Sequence, residues 1–519
     1  MNYANVFKSV PETQVGRSVF NLSYEKKFDC NLGQWIPVMC DEMVPGDTFQ
    51  ISNEIVIRFQ PLVAPILHEV NVYTNYFFVP YRILDPNWEN FITGGFDGKF
   101  DYELPLWNPT SFDLSKYSQW DYLGFPLVDM GVNNPLAYIK RAMALIFNEY
   151  LRDQDIDPVL DIMTTNLTTP YSKRWEKDYF TSARPWQLKG VAPAMPVTLE
   201  GGHAEFTLPG RLGTSANPTG NVNASPISNP TNNKFVNVTN LSSSSVEDVS
   251  LKTYLDDNVL HADADEIGTF NIADLRLATQ LTKWLEKNAR SGSRYTEYLK
   301  SHFGRAPRDE RLQRPERFGG TKSPVLISEV QQTSGTDSPN AVDRQATPQG
   351  NLAGRGIVAD RNFVGSYTSD EFGVVIGLMC VIPRSSYMQG INRQWLRRTR
   401  FDFYDPLFAH LSEQPVYNVE LYADGTASDS EIFGWQQRYA EMRYKPNLAV
   451  AGMRDTFDYW HFVRKFGNRP VLNSSFLVYQ NNVRPFAVQD ERSLIVNYAN
   501  NIRAIRPMPY QAVPGLLDH

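Results

Sequence analysis

Arg393, Arg397, Arg398 and Arg400 crowd into one short run and are interleaved with Trp395 and Phe401. A guanidinium meets phosphate in a planar fork, and an aromatic ring stacks on an unpaired base, so this run has the chemistry of a single-stranded nucleic acid contact. An arginine run in a chain with many carboxylates also suits an ion-pair patch between subunits, and both readings stand. The acids Asp263, Asp265 and Glu266 could supply the acid and the base or nucleophile of a glycosidase, although three acids in one turn are more often a solvated loop.

Other candidate sites fail on spacing. His68-Glu69 lacks the second histidine that a zinc-binding helix needs. Gly319-Gly320-Thr321-Lys322 resembles half of a phosphate loop without the earlier glycine or the helix that must follow. The histidines are scattered, and no Ser or Cys sits in a nucleophile elbow. Cys30, Cys40 and Cys380 form neither a CxxC pair nor an even framework, so neither structural zinc nor a disulfide-stapled fold is expected, and a reducing compartment fits best. The expectation is a chain with no catalytic residues, no cofactor and no metal.

Composition sets bounds on the partners. At 519 residues the chain exceeds the ~250–300 at which a single core stops growing, which favours two or more domains. Its net charge of -7 makes it no general trap for nucleic acid or anionic membrane, so any DNA contact must be local. The N-terminus lacks the apolar core of a signal peptide, and no run approaches the ~18 apolar residues of a membrane span. Abundant Tyr and Phe suit strands and wide subunit contacts.

The elements that must position these residues read as strands bracketing helical insertions. Phe49, Ile51, Ile55, Ile57 and Phe59 alternate with polar neighbours, the period of a half-buried strand. Past Pro61 and Pro65, the run from Glu69 to Arg82 is apolar on both faces; the two strands are expected to pair. A buried strand at Phe372–Pro383 follows GIVADRNFVGSYT, with Thr368, Ser369 and Asp370 as the turn of a hairpin. Asn134-Pro135 opens a helix in which Ile139, Ala142, Leu145, Ile146 and Tyr150 share a face. In a second helix, Leu275, Ala278, Leu281 and Leu285 recur at helical spacing, with Trp284 widening the face, Asn271 as cap, and Ser291-Gly292 as stop. A third through Tyr295, Tyr298 and Leu299 ends at Gly304, before an arginine-rich loop expected to lie on a neighbouring copy of the chain.

From Leu212 to Val246 the chain is Gly, Ser, Thr, Asn and Pro around a single charge, Lys234, and cannot bury a core of its own. It is a surface excursion, with Thr214, Asn221, Asn223, Asn232, Lys234 and Ser245 as candidate receptor-contact residues. Beyond Asn392 there are aromatic clusters but few periodic segments, which reads as chain draped over neighbouring surfaces.

Several long, ordered blocks carry a resemblance: FNLSYEKKFDCNLGQWIPVMCDEMVPGDTF, NVYTNYFFVPYRILDPNWENFITGG, YFTSARPWQ, LRLATQLTKWLEKNARSGSRYTEYLKSHFG, RLQRPERFGGTKSPVLISEVQQTS, HLSEQPVYNVELYADGT, RYAEMRYKPN and RPMPYQAVPGLLDH. Together they resemble the major capsid protein of the Microviridae, in its gokushovirus branch of small single-stranded DNA bacteriophages. The resemblance implies a mainly β fold, an eight-stranded viral jelly-roll sandwich whose long inter-strand insertions contain several α-helices. It implies one domain over residues 1–519, with a surface protrusion at 201–260 and a helical hairpin at 271–304. It further implies a T=1 icosahedral virion capsid of 60 copies around a circular single-stranded DNA genome. Implied partners are an internal scaffolding protein during assembly in the bacterial host cytoplasm, a DNA pilot protein and a host surface receptor, with no membrane insertion. A β-sandwich carbohydrate-active enzyme and a β-sandwich adhesin binding through the 212–246 loop are the alternatives.

Overall fold

Between Ser18 and Pro80 five strands follow one another: β1 (Ser18–Asn21), β2 (Tyr24–Cys30), β3 (Ile36–Met43), β4 (Thr48–Phe59) and β5 (Val70–Pro80). The short strands β6 (His203–Glu205) and β7 (His261–Asp263) pair antiparallel with each other. Then come β8 (Glu316–Pro324), β9 (Leu326–Gln331), β10 (Leu352–Thr368), β11 (Gly373–Pro383), β12 (Ser386–Tyr387), β13 (Glu413–Tyr417), β14 (Ile432–Gln437), β15 (Asn447–Leu448) and β16 (Leu494–Arg506). The computed structural model describes residues 16–164, 168–193, 203–205, 261–263, 272–331 and 352–511. It divides into two compact units, one of Met1–Gln187 with Lys287–His519 and one of Leu188–Glu286.

The chain is mainly β, and its two large antiparallel sheets lie in the first unit. One runs β16-β4-β10-β9, with β1 and β2 sharing the outer edge of β16; the other runs β3-β11-β5-β8. Apart from β5 and β8, which pair with each other, successive long strands cross between them: β2, β4, β10 and β16 fall in the first sheet and β3, β5, β8 and β11 in the second. The sheets share one apolar layer, in which Ile55, Ile57 and Val496 meet Val38, Val72 and Val381. Farther along, Phe49, Ile51 and Ile502 meet Met39, Phe78 and Val375. Within this layer lies a polar seam. Tyr76 Oη and Tyr498 Oη are 2.7 Å apart, Asn53 Nδ2 donates to Tyr498 Oη (3.0 Å), and Tyr76 Oη donates to Asn500 Oδ1 (3.1 Å). Both hydroxyls there have partners, so the seam joins the sheets without leaving an orphan hydroxyl, and Asn53 Oδ1 is its one buried atom without a bond.

The second sheet is covered on its other face as well. Phe77, Val79, Val374, Ile376 and Leu378 pack on the helix Tyr138–Ile146 and on Phe147. This explains why every residue of β11 is buried and why β5 reads as a continuous apolar run, whereas β4 alternates.

The same contrast corrects the expected pairing of β4 with β5. A strand covered on one face and a strand covered on both belong to different sheets, and β4 pairs with β10 and β16 while β5 pairs with β11 and β8. Nor do β10 and β11 form a hairpin. Their turn passes from one sheet to the other beside the turn joining β3 and β4, and the two turns bond to each other: Gly46 N–H donates to Ser369 O (2.7 Å) and Ser369 N–H to Asp47 O (2.9 Å).

The second half of the arm expected at RLQRPERFGG is the start of strand β8, on the edge of the second sheet. Gly319 and Gly320 permit it, since a Cβ at either would sit 2.4 Å from a neighbouring carbonyl oxygen, of Val364 or of Thr74. In the arginine-rich segment before it, Arg314 stacks 4.7 Å from the Tyr150 ring and pairs with Asp309 at 3.0 Å, while Arg305, Arg308 and Arg311 are exposed. The helix Ile272–Ser291 stops where expected, and Asn271 lies outside the described residues. Its apolar face is not core, however: Leu285 and Ala289 are buried while Leu275, Leu281 and Trp284 are exposed. The helix Tyr295–Phe303 ends at Gly304 in the left-handed region.

The C-terminal third is folded, not draped. Residues 384–493 build a second core with the 179–183 segment, where Val416, Leu421, Phe433, Phe476 and Leu477 surround Tyr179, Phe180 and Tyr387. The insertion leads into β16, a strand held between β4 on one side and β1 and β2 on the other.

Candidate functional site

The arginine run lies in the 384–493 insertion on a series of short turns. Asn392 caps the first, accepting from Gln394 N–H at 3.1 Å. Asp402 caps the second, its Oδ2 accepting from Arg398 N–H (2.9 Å) and Thr399 N–H (2.7 Å); these bonds to the charged carboxylate hold its pKa below the ordinary aspartate value. Asp405 caps the third through Leu407 N–H at 2.8 Å. Such caps are local, which is why this stretch holds its shape without a sheet or a long helix.

The four arginines do two different things. Arg393 reaches inward, its guanidinium 3.0 Å from Glu420 Oε1 and bonded to Pro415 O, with the Tyr417 ring 5.4 Å away. Burial is the largest single influence and lowers the pKa of Arg393, but Glu420, Tyr179 and Glu441 together more than offset it and raise the pKa. Burial in turn pushes Glu420 up, and Arg393, Tyr417 N–H and the Tyr179 hydroxyl pull it back. Arg397 Nη2 lies 3.5 Å from Oε1 of buried Glu441, whose other oxygen accepts from Gln414 Nε2 at 2.7 Å. Both are ion pairs within one chain. Arg398 and Arg400 are exposed, with Arg400 lying 4.9 Å over the Phe401 ring.

Around the exposed pair lies a ledge of rings. Trp395, Phe401, Phe403, Tyr404 and Leu407 all face solvent, Leu407 at 83% exposure. Beneath them Tyr439 Oη donates to Phe403 O (3.1 Å), Arg438 donates to Phe401 O (3.2 Å), and the Tyr404 and Tyr439 rings meet at 5.0 Å. The ledge is therefore backed by fixed contacts.

A second knot ties the insertion to the rest of its unit. Asp178 is buried and accepts from Phe180 N–H (2.9 Å), Thr181 N–H (2.8 Å), Ser385 Oγ (2.6 Å) and Tyr387 Oη (2.7 Å). The cavity beside Arg393 and Glu420 has a volume of about 50 Å³, room for a water or two and none for a sugar ring. Among the described residues no group of three or more His, Cys, Asp or Glu side chains is placed to hold a metal ion. None of the helices described is long and apolar enough to cross a membrane. Asp263 falls in β7, while Asp265 and Glu266 lie outside the described residues, as do Thr214, Asn221, Asn223, Asn232, Lys234 and Ser245. Asp178, Glu420 and Glu441 escaped the sequence reading. Asp178 stands immediately before YFTSARPWQ, but a lone acid in a loop carries no signal of burial.

Comparison with known proteins gives this architecture its context. The profile of the capsid protein (F protein) family matches residues 8–516. Capsid protein VP1 of Chlamydia phage 1 is 34% identical over 99% of this chain and 98% of the relative. Capsid protein VP1 of Bdellovibrio phage phiMH2K is 32% identical, and that of Spiroplasma virus 4 is 30% identical, each over 98% of this chain and 97% of the relative. A role as a virion capsid subunit is structural and not enzymatic. The chain belongs to the capsid protein (F protein) family, as its resemblance to the gokushovirus branch implied.

Proposed function

We propose that sixty copies of this chain assemble into a T=1 icosahedral shell around a circular single-stranded DNA genome. The observation that carries this reading is the passage of eight strands, β2, β3, β4, β5, β8, β10, β11 and β16, back and forth between two facing sheets. That order is read as the viral jelly roll, a fold whose closed sandwich leaves its connections free to lengthen. The two longest, from β5 to β8 and from β11 to β16, supply the surfaces that closed symmetry requires. The 201–260 protrusion and the 271–304 helical hairpin both fall in the first of them. Assembly takes place in the host cytoplasm with an internal scaffolding protein, and a DNA pilot protein joins the particle.

Within this reading the polar loop bearing Thr214, Asn221, Asn223, Asn232, Lys234 and Ser245 attaches the virion to the host surface. Of the four arginines first considered for genome contact, Arg393 and Arg397 spend their charge on Glu420 and Glu441, so a genome contact would fall to Arg398 and Arg400. The test is assembly of the purified chain, followed by sizing and electron microscopy. Closed particles of uniform diameter are expected, and a persistent 59.2 kDa monomer would overturn the reading. Deleting Thr214–Ser245 should leave particles that no longer adsorb to host cells; unchanged adsorption would remove the attachment role.

A further inference from the structure

The connection after β5 carries a small loop built to hold one phenylalanine in water. The helix Trp88–Thr93 ends at Gly94, and Phe100 N–H closes the loop by donating to Gly94 O at 3.0 Å. Gly95 (φ 70°) and Gly98 (φ 71°) both adopt the left-handed region, and a Cβ at Gly95 would come 2.9 Å from Phe100 Cβ. Behind the loop, Phe100 stacks on Tyr102 with ring centroids 6.0 Å apart, and Tyr102 Oη donates to buried Asp85 at 2.8 Å. The loop is therefore anchored. At its tip Phe96 is fully exposed, at 109% of its reference area, and the exposed acids Asp97, Asp101 and Glu103 follow it in sequence with only Lys99 in opposition.

The ledge at Trp395–Leu407 has the complementary chemistry. Its rings are exposed, and Arg398 and Arg400 carry free charge beside them. Its own acids, Asp402 and Asp405, are turned onto backbone N–H groups.

We propose that the acidic tip Phe96–Glu103 of one copy docks on the basic aromatic ledge Trp395–Leu407 of a second copy, with Phe96 as the buried anchor. The contact rests on the shell reading above. It is heterologous, tip to ledge, so it propagates around a symmetry axis and closes into a ring when the rotation permits. A central aromatic in a ring-lined seat supplies most of the affinity of such an interface, and opposed charges around it fix the partner and its orientation. A basic ledge with exposed rings is also a surface on which unpaired bases can stack. Single-stranded DNA would occupy the ledge, however, and leave the anchored acidic tip without a partner, whereas a second copy accounts for both.

The test is charge reversal with compensation in the full chain. The tip variant is Asp97→Lys/Asp101→Lys/Glu103→Lys, and the ledge variant is Arg398→Glu/Arg400→Glu. Each alone should melt as the parent does and lower shell yield by roughly tenfold or more, the scale of 1.4 kcal/mol per contact. The two together should restore assembly, and Phe96→Ala should lower yield as the single reversals do while Phe96→Trp retains it. Parental yield from either reversal, or a combination no better than its parts, would overturn the contact. Normal shells with less packaged DNA from the ledge variant would also overturn it and assign the ledge to the genome. If the unaltered chain forms no shells in the same assay, the shell reading fails, and this contact with it.

Discussion

The two-sheet sandwich and the 384–493 insertion solve the same problem by different means. In the sandwich, backbone groups are satisfied by ladders, as in the twelve-residue β4 paired on both sides, and side chains are free to be apolar. In the insertion the strands are short, and buried charge does what ladders do elsewhere. Glu420 accepts from Tyr417 N–H and Arg393, Glu441 from Arg397 and Gln414, and Asp178 from outside the insertion takes up Ser385 and Tyr387, while Arg464 lies within a cage of rings, 4.1 Å from Phe476 and 5.1 Å from Trp175, and donates to Phe476 O at 2.6 Å. The lesson is that chain too irregular for a sheet is held by side chains that bond many backbone groups at once.

That contrast can be broken at its strongest point by Phe49→Ala. Phe49 is fully buried between the sheets, and removing it should cost about 3–5 kcal/mol. The loss should appear as one shift of the urea midpoint that is identical by fluorescence and far-UV circular dichroism. Separate transitions would mean that the sandwich and the insertion are not coupled in the way a shared unit requires.

Asp178→Ala sharpens the comparison from the other side. It leaves several buried donors unpaired, at about 1–3 kcal/mol for a group so stranded. The expected loss is local. Amide exchange should speed up around Phe180–Thr181 and Ser385–Tyr387 while β4 and β16 keep their protection. Equal acceleration in the sandwich strands would erase the distinction between the two regions.

How much of this was legible beforehand follows from the same physics. Strands β4, β5 and β11 could be read because burial writes itself into period two or into an unbroken apolar run. Their partners could not: β4 and β5 are neighbours in sequence and lie in different sheets, since sequence records which faces are covered but not across which layer the chain turns. Strand β16 escaped altogether. Leu494, Val496, Tyr498, Ile502 and Ala504 keep the period, yet Asn497, Asn500 and Asn501 in its middle suggest a loop, and Asn500 is buried because its amide serves the polar seam. The arginine run was legible as chemistry, but its division into two inward and two outward residues depends on Glu420 and Glu441, which lie more than twenty residues away in sequence.

The polar seam gives a smaller prediction. Tyr498→Phe removes the hydroxyl that meets Tyr76 and Asn53, so a loss of about 1 kcal/mol is expected with the m-value unchanged. Burial pushes the Tyr498 hydroxyl up to about 12, so it stays protonated and serves as both donor and acceptor. No change on substitution would mean that the seam adds register but no net stability.

The smallest effect belongs to the ledge. Asp402 is mostly exposed, and its pKa is lowered by the N–H groups of Thr399 and Arg398. A carboxyl whose folded value is depressed contributes stability that is complete above its ordinary value of 3.8 and is lost as pH falls through the lower folded value. Since the group faces solvent, the consequence is confined to its turn. The Thr399 amide resonance should titrate with a midpoint below 3.8, and Asp402→Asn should abolish that titration while the resonances of β4 stay where they are. A midpoint at or above 3.8 would show that the cap bonds add nothing. The ledge would then hold its shape through Tyr439 and Arg438 beneath it, by ring and carbonyl contacts in place of the buried charge that organises the rest of the insertion.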